Sequence, residues 1–253
     1  MAEASLPERL AAVQGRIQAA QQRLGLAPQA VGLVAVSKTH PASSVCVAIA
    51  AGQAHFGENY VQEGVQKVVD VQAQAPAHPP QWHFIGPLQS NKTRDVAAHF
   101  DWVHTVDRLK IAQRLADQRP EGLPPMQLCL QVNIGDEASK SGVPEQEAVT
   151  TFLAIAQLAQ ANPGRIQMRG LMAIPAPGAG VQAFDRLLEL LQACWQGLNE
   201  EMRTAMGRPV ASMGMSDDWE LALEAQAKAA RAGFETQVCL RIGTAIFGAR
   251  PAP

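Results

Sequence analysis

Little in this chain of 253 residues is aromatic: 5% of it, with a single tyrosine, Tyr60. Charge is sparse as well, at 17% Asp, Glu, Lys and Arg, with a formal net charge of −2. The basic residues are scattered, with no stripe and no interleaved aromatics, which argues against nucleic acid as a partner. No apolar run approaches the roughly 20 residues that cross a bilayer, and the polar start MAEASLPERLAAVQGRIQ has no apolar secretory core. No membrane partner is therefore expected, and a cytoplasmic location is. Cys46, Cys129, Cys194 and Cys239 lie far apart without CxxC spacing. They read as core thiols rather than a disulfide framework or zinc site. His55, His99 and His104 show no metal-ligand spacing with acids or thiols, so no metal is expected. There is no GxxxxGK[ST] loop and no GxGxxG after a strand, which removes the usual signatures of a nucleoside triphosphate or a dinucleotide.

What is present is apolar and regularly spaced. Hydrophobic residues make up 47%, enough for a sizeable core. The length allows two domains, but α/β barrels often reach it as one. Residues 5–24 carry apolar positions at helical spacing up to Gly25. Short apolar strands then recur near 32–36, 54–56, 82–85, 102–105, 127–133, 168–172, 210–213 and 239–242. Helical patterns lie between most of them, such as SSVCVAIAAG, EQEAVTTFLAIAQLAQA and VQAFDRLLELLQACWQGLNEE. Strand then helix, repeated eight times, predicts a parallel sheet closed as a (β/α)8 TIM barrel, a single domain over 1–253 with an N-terminal helix. An open doubly wound sheet is the competing layout, and the strand count favours the barrel.

Barrels do their chemistry at the C-terminal ends of the strands and often hold phosphate after strands seven and eight. Strand one, in VGLVAVSKTH, runs straight into Lys38. A lysine at the mouth of an apolar strand is either a solvated charge or an amine that gives up its proton readily. Strand two runs into Glu58, Asn59 and Tyr60, and strand three into Gly86. Strand five ends at Asn133, before a loop with Lys140, Ser141 and Gly142. After strand seven, SMGMSDD offers the hydroxyls of Ser212 and Ser216 and the backbone of Gly214. After strand eight, Gly243 and Thr244 open a short final helix whose N-terminus attracts anions. These small residues either permit tight turns or cradle one phosphate. Arg241, just inside the end of strand eight, either faces the mouth or pairs outside with a helix acid. Lysine, phosphate cradle and arginine together would meet the aldehyde, phosphate and ring nitrogen of pyridoxal 5'-phosphate.

The segments VAVSKTHP, HFGENYVQE, WHFIGPLQSNK, RGLMAI, SMGMSDDWE and RIGTAIFGAR occur in order over roughly residues 6–250. In this they resemble the pyridoxal phosphate homeostasis proteins, single-domain relatives of the alanine racemase barrel domain. The resemblance implies that Lys38 carries pyridoxal phosphate as a Schiff base. It implies that Ser212, Gly243 and Thr244 hold the phosphate with Met213 and Gly214 nearby, and that Arg241 bonds the pyridine nitrogen. Asn59 would lie beside the ring, and His83 and Gly86 would line the mouth. The stretch WELALEAQAKAARAGFETQVCL is longer than the family pattern, which leaves the equivalence of 226–238 open.

A permanently charged donor disfavours a proton on the ring nitrogen and makes the ring a poorer electron sink. A racemase also needs proton-transfer groups on both faces. Alanine racemases take the second from a β-rich domain that this sequence, ending at Pro253, lacks. The expectation is therefore a monomeric carrier that holds pyridoxal phosphate and passes it transiently to apo-enzymes, without robust catalysis. An amino-acid racemase is the alternative. A Schiff-base aldolase lysine acting on another phosphorylated metabolite is the third reading.

Overall fold

The structure is a computed structural model, and it describes residues 4–135, 141–176 and 178–249. Lys140, singled out above, lies outside the described residues. Helix α1 (Leu6–Leu24) begins where the Glu8 carboxylate accepts the Ser5 N–H at 2.7 Å, and ends at Gly25 with φ 70°. Eight strands follow: β1 (Val31–Val36), β2 (His55–Glu58), β3 (Gln81–Phe84), β4 (Trp102–Val106), β5 (Met126–Asn133), β6 (Ile166–Met172), β7 (Val210–Ser212) and β8 (Gln237–Ile242). Each pairs in parallel with the next. The ring closes through β1 and β8, where Val34 stands opposite Arg241 and Ala35 opposite Ile242. A two-residue stretch, Val143–Pro144, adds to the end of β5. All eight expected strands are present within a few residues of their expected limits, and the open doubly wound alternative is excluded by closure.

The further α-helices among the described residues are α2 (Ala42–Ala50), α3 (Val61–Ala73), α4 (Thr93–His99), α5 (Leu109–Gln118), α6 (Glu145–Ala161), α7 (Val181–Gln196), α8 (Glu200–Met206), α9 (Trp219–Arg231) and α10 (Thr244–Phe247). The continuous helix expected over VQAFDRLLELLQACWQGLNEE is in fact two. α7 stops at Gln196, and the Asn199 side chain accepts the Met202 N–H at 2.8 Å to start α8. The apolar period runs on across this break because Leu198 remains buried. The long segment before β8 is α9 plus a turn at Gly233. Gln226 fills that corner, donating to the carbonyls of Ala30 and Thr236 at 2.7 and 3.0 Å.

The apolar core lies between the strands and their helices: Phe56, Phe84, Phe100, Phe152 and Phe184 are all buried. α1 is tied to the other end of the chain. Arg9 Nε donates to the Ile246 carbonyl at 2.9 Å and Nη2 to Phe247 at 3.2 Å, closing the last carbonyls of α10. Among the described residues no helix is long and apolar enough to cross a membrane.

Candidate functional site

At the C-terminal end of the strands lies a cavity of about 200 Å³ bounded by Lys38, Asn59, Arg241, Gly243 and Thr244. Three distant stretches of the sequence thus meet where the barrel rule places chemistry. His40, Ser216 and Met215 join them. His40 sits two residues past Lys38 and stacks on Phe247, with ring centres 5.2 Å apart.

Lys38 sits in a turn that is held on both sides. Ser37 N–H donates to the Gly57 carbonyl at 3.0 Å, and Ser37 Oγ to Glu58 Oε1 at 2.6 Å. Lys67, on α3, is buried and donates to the Ser37 carbonyl at 2.7 Å, to Glu58 at 2.7 Å and to Glu63 at 2.9 Å. Glu63 in turn accepts the Thr39 N–H at 2.5 Å. Thr39 has φ 67°, a left-handed conformation unusual for a residue with a Cβ, and these bonds hold it there. Burial raises the Glu58 carboxyl above the usual range, against the opposing pull of Lys67 and Ser37. Glu58 is therefore half of a buried ion pair, not one of a pair of catalytic carboxylates.

Arg241 is a buried cation whose side-chain bonds go to neutral acceptors. Nη1 donates to Ser212 Oγ at 2.7 Å and Nη2 to the Ala173 carbonyl at 3.0 Å. Burial loosens its hold on the proton. A guanidinium without a bidentate carboxylate keeps its charge available to an acceptor in the cavity. Asn59 Oδ1 is likewise buried without a hydrogen-bond partner.

Several expected residues sit elsewhere. Ser212 is fully buried beneath the cavity, with its hydroxyl engaged by Arg241 and by His104 at 2.6 Å. It does not line the cavity; Ser216, four residues on, does. Met213 is core, and Gly214, with φ 83°, accepts the Arg241 backbone N–H at 2.9 Å. Ser212 and Gly214 thus hold Arg241, one by its side chain and the other by its backbone. His83 lies inside the barrel rather than at its mouth, bonded to His55 and His104. Gly86 is pressed on the Asn59 backbone, where a Cβ would stand 1.9 Å from the Asn59 carbonyl oxygen. Asp218 caps a turn by accepting the Met215 N–H at 2.6 Å, just before α9.

His83, His104 and Cys239 each bring one ligand atom within 4.8 Å of the others. Both nitrogens of His83 and of His104 already serve hydrogen bonds to His55, to each other and to Ser212. Burial also pushes the Cys239 thiol up to about 12, so it offers no thiolate. The group is a hydrogen-bonded core cluster.

Fold and site together define a barrel of the alanine racemase N-terminal domain class, whose family description matches residues 9–251. More narrowly, the chain belongs to the pyridoxal phosphate homeostasis protein family. It is 48% identical over 251 residues to the member from Pseudomonas aeruginosa, covering 98% of this chain and 96% of that one. The Escherichia coli member is 46% identical over 245 residues, 97% of each chain. Among solved structures, PipY of Synechococcus elongatus PCC7942 with PLP bound superposes with a TM-score of 0.75 at 33% identity, covering 96% of this chain and all of that one. Alanine racemase from Corynebacterium glutamicum shares the fold, with a TM-score of 0.60 at 17% identity, and this chain spans 62% of its length.

Proposed function

We propose that the protein binds pyridoxal 5'-phosphate at the mouth of the barrel and serves cellular homeostasis of that cofactor. The observation that carries this reading is the meeting of Lys38 and Arg241 in one cavity with Gly243 and Thr244. The residues present fit the group. Gly243 leaves room where a Cβ would crowd the Val36 carbonyl at 3.1 Å. Gly243 and Thr244 open α10, and with Ser216 they would hold the phosphate. Arg241 would donate to the ring nitrogen, and Asn59 would lie beside the ring. When bound, the cofactor supplies an aldehyde that is held as a Schiff base on Lys38.

The role proposed is carrier, not catalyst. Lys38 and His40, the proton-transfer groups among the described residues bounding the cavity, stand on the same turn after β1. A racemase needs such groups on opposite faces. The lone tyrosine, Tyr60, is exposed and does not bound the cavity. The reading is of one barrel domain over 1–253, a monomer that hands the cofactor transiently to apo-enzymes in the cytoplasm; the four free cysteines suit that reducing compartment.

Purified protein mixed with pyridoxal phosphate should turn yellow, and borohydride should fix the cofactor to Lys38, as read by peptide mass spectrometry. Lys38→Ala should lose the covalent link and keep weaker, phosphate-dependent binding. A protein that stays colourless and binds no pyridoxal phosphate refutes the reading. Exchange of the Cα proton of free amino acids in deuterated water, faster than with pyridoxal phosphate alone, refutes the carrier assignment.

A further inference from the structure

A column of polar side chains crosses the barrel interior below the cavity. His55, His83, His104 and Ser212 come from β2, β3, β4 and β7. His55 Nδ1 lies 3.0 Å from His83 Nε2, His83 Nδ1 lies 2.9 Å from His104 Nε2, and His104 Nδ1 lies 2.6 Å from Ser212 Oγ. Arg241 Nη1 closes the upper end on Ser212 Oγ at 2.7 Å. The lower end meets a small cavity of about 50 Å³ at the N-terminal ends of the strands, bounded by His55, Trp102 and Gln237 among others.

Proton counting gives the column a direction. Arginine only donates, so the Ser212 oxygen accepts from Arg241. The single Ser212 proton then has one acceptor within reach, His104 Nδ1. A neutral imidazole carries one N–H, so His104 is protonated on Nε2 and donates to His83 Nδ1. The same count makes His83 donate from Nε2 to His55 Nδ1 and leaves the His55 proton on Nε2. The reverse order, with Nδ1–H on all three rings, would also fill each contact but would leave the buried Ser212 proton without an acceptor, so the count favours this assignment. A second proton on His83 would set its Nδ1–H against the His104 N–H, and one on His104 would set its Nδ1–H against the Ser212 O–H, both in a buried site near a guanidinium.

Resting on the reading that Arg241 faces the cofactor's ring nitrogen, we infer that Ser212 and His104, backed by His83 and His55, are positioning residues for Arg241. They form a neutral, one-directional hydrogen-bonded column that aims the guanidinium at the cavity. Its neutrality is the useful property. A carboxylate in place of Ser212 would draw both guanidinium nitrogens onto itself and cancel the charge. A hydroxyl braced by an imidazole fixes the orientation and leaves the charge for the ligand.

Two experiments test this. In protein labelled with ¹⁵N-histidine and free of cofactor, ring-nitrogen NMR at neutral pH should show His55, His83 and His104 uncharged and protonated on Nε2. A charged His104, or its Nδ1–H tautomer, overturns the proposal whether or not pyridoxal phosphate binds. The second experiment uses variants with added pyridoxal phosphate. His104→Asn keeps an acceptor where Nδ1 meets Ser212, whereas His104→Leu removes it. The visible band of His104→Asn should match wild type. His104→Leu and Ser212→Ala should shift the band and weaken binding about tenfold, the effect of losing one charge-assisted hydrogen bond. The inhibition constant of inorganic phosphate should remain as in wild type for all three. A loss of phosphate competition confined to Ser212→Ala would make Ser212 a phosphate ligand and overturn the assignment, as would identical behaviour of His104→Asn and His104→Leu. If His104→Leu does not fold, Ser212→Ala and the NMR measurement decide.

Discussion

Replacing Lys67 by methionine tests whether the buried pair beneath Lys38 is structural. Lys67 and Glu58 are 4% and 0% exposed, with Nζ and Oε1 2.7 Å apart. Lys67→Met keeps most of the side-chain volume and leaves Glu58 as a buried, uncompensated charge. Removing one partner of such a pair costs about 3–5 kcal/mol. For a chain of this size each kcal/mol moves the midpoint by about 2–4 °C, so the thermal midpoint should fall by roughly 6–20 °C. The sign of the pH dependence follows from Glu58. Its carboxyl is already raised in the folded protein, mainly by burial, and Lys67 opposes that rise. Without Lys67 the folded value climbs further above the unfolded one. Between those two values the folded state binds the extra proton, so stability falls as pH rises. The deficit of Lys67→Met against wild type should therefore be smaller at pH 5 than at pH 8. Circular dichroism melts at both pH values provide the measurement, with Glu58→Gln/Lys67→Met as control. The double variant should recover much of the loss, because replacing a whole buried pair by uncharged groups is often near neutral. A single variant within about 1 kcal/mol of wild type at both pH values, the behaviour of an exposed pair, would refute the reasoning.

Further outcomes are expected elsewhere. Gly86→Ala should destabilise by more than about 2 kcal/mol in urea and weaken cofactor binding, since the new Cβ would sit 1.9 Å from the Asn59 carbonyl oxygen and backbone must move. Iodoacetamide at pH 8 should label at most Cys46 in the folded protein, by intact mass. Cys194 and Cys239 are buried with thiols pushed up to about 12, and Cys129 is pushed up further by burial. Two or more adducts would contradict that. Arg119→Leu should cost several kcal/mol, because its guanidinium donates to the carbonyls of Ala97, Phe100 and Pro124 and all three would lose that donor.

The strands were readable because βα alternation is a local signal: each apolar run is bounded by turn residues and followed by a helical period. The α7–α8 break was not, since buried Leu198 carries the apolar period across it. Lys38, Asn59, Arg241, Gly243 and Thr244 were placed from the sequence and do bound the cavity. Ser212 was taken for a cavity residue because the hydroxyls of SMGMS look alike in a string. A side chain at the last position of a strand can point into the barrel, while one four residues on, past Gly214, lies over the mouth. The histidine column was hidden for a related reason. His55, His83 and His104 are 28 and 21 residues apart, and only strand register sets their rings in line. Lys67 gave no warning, because a lysine on an amphipathic helix is nearly always solvated.

The neighbourhood of β1 and β8 has a consequence for how the protein is made. Lys38 and Arg241 are separated by 203 residues, 241 − 38, yet they bound one cavity, and Arg9 fastens the first helix to the last. At roughly 5–20 residues per second, about 10–40 s pass between synthesis of the two side chains. Through that interval the growing chain carries Lys38 and no complete cavity. On the proposed reading, cofactor loading would be a post-translational event, timed by the last strand to leave the ribosome.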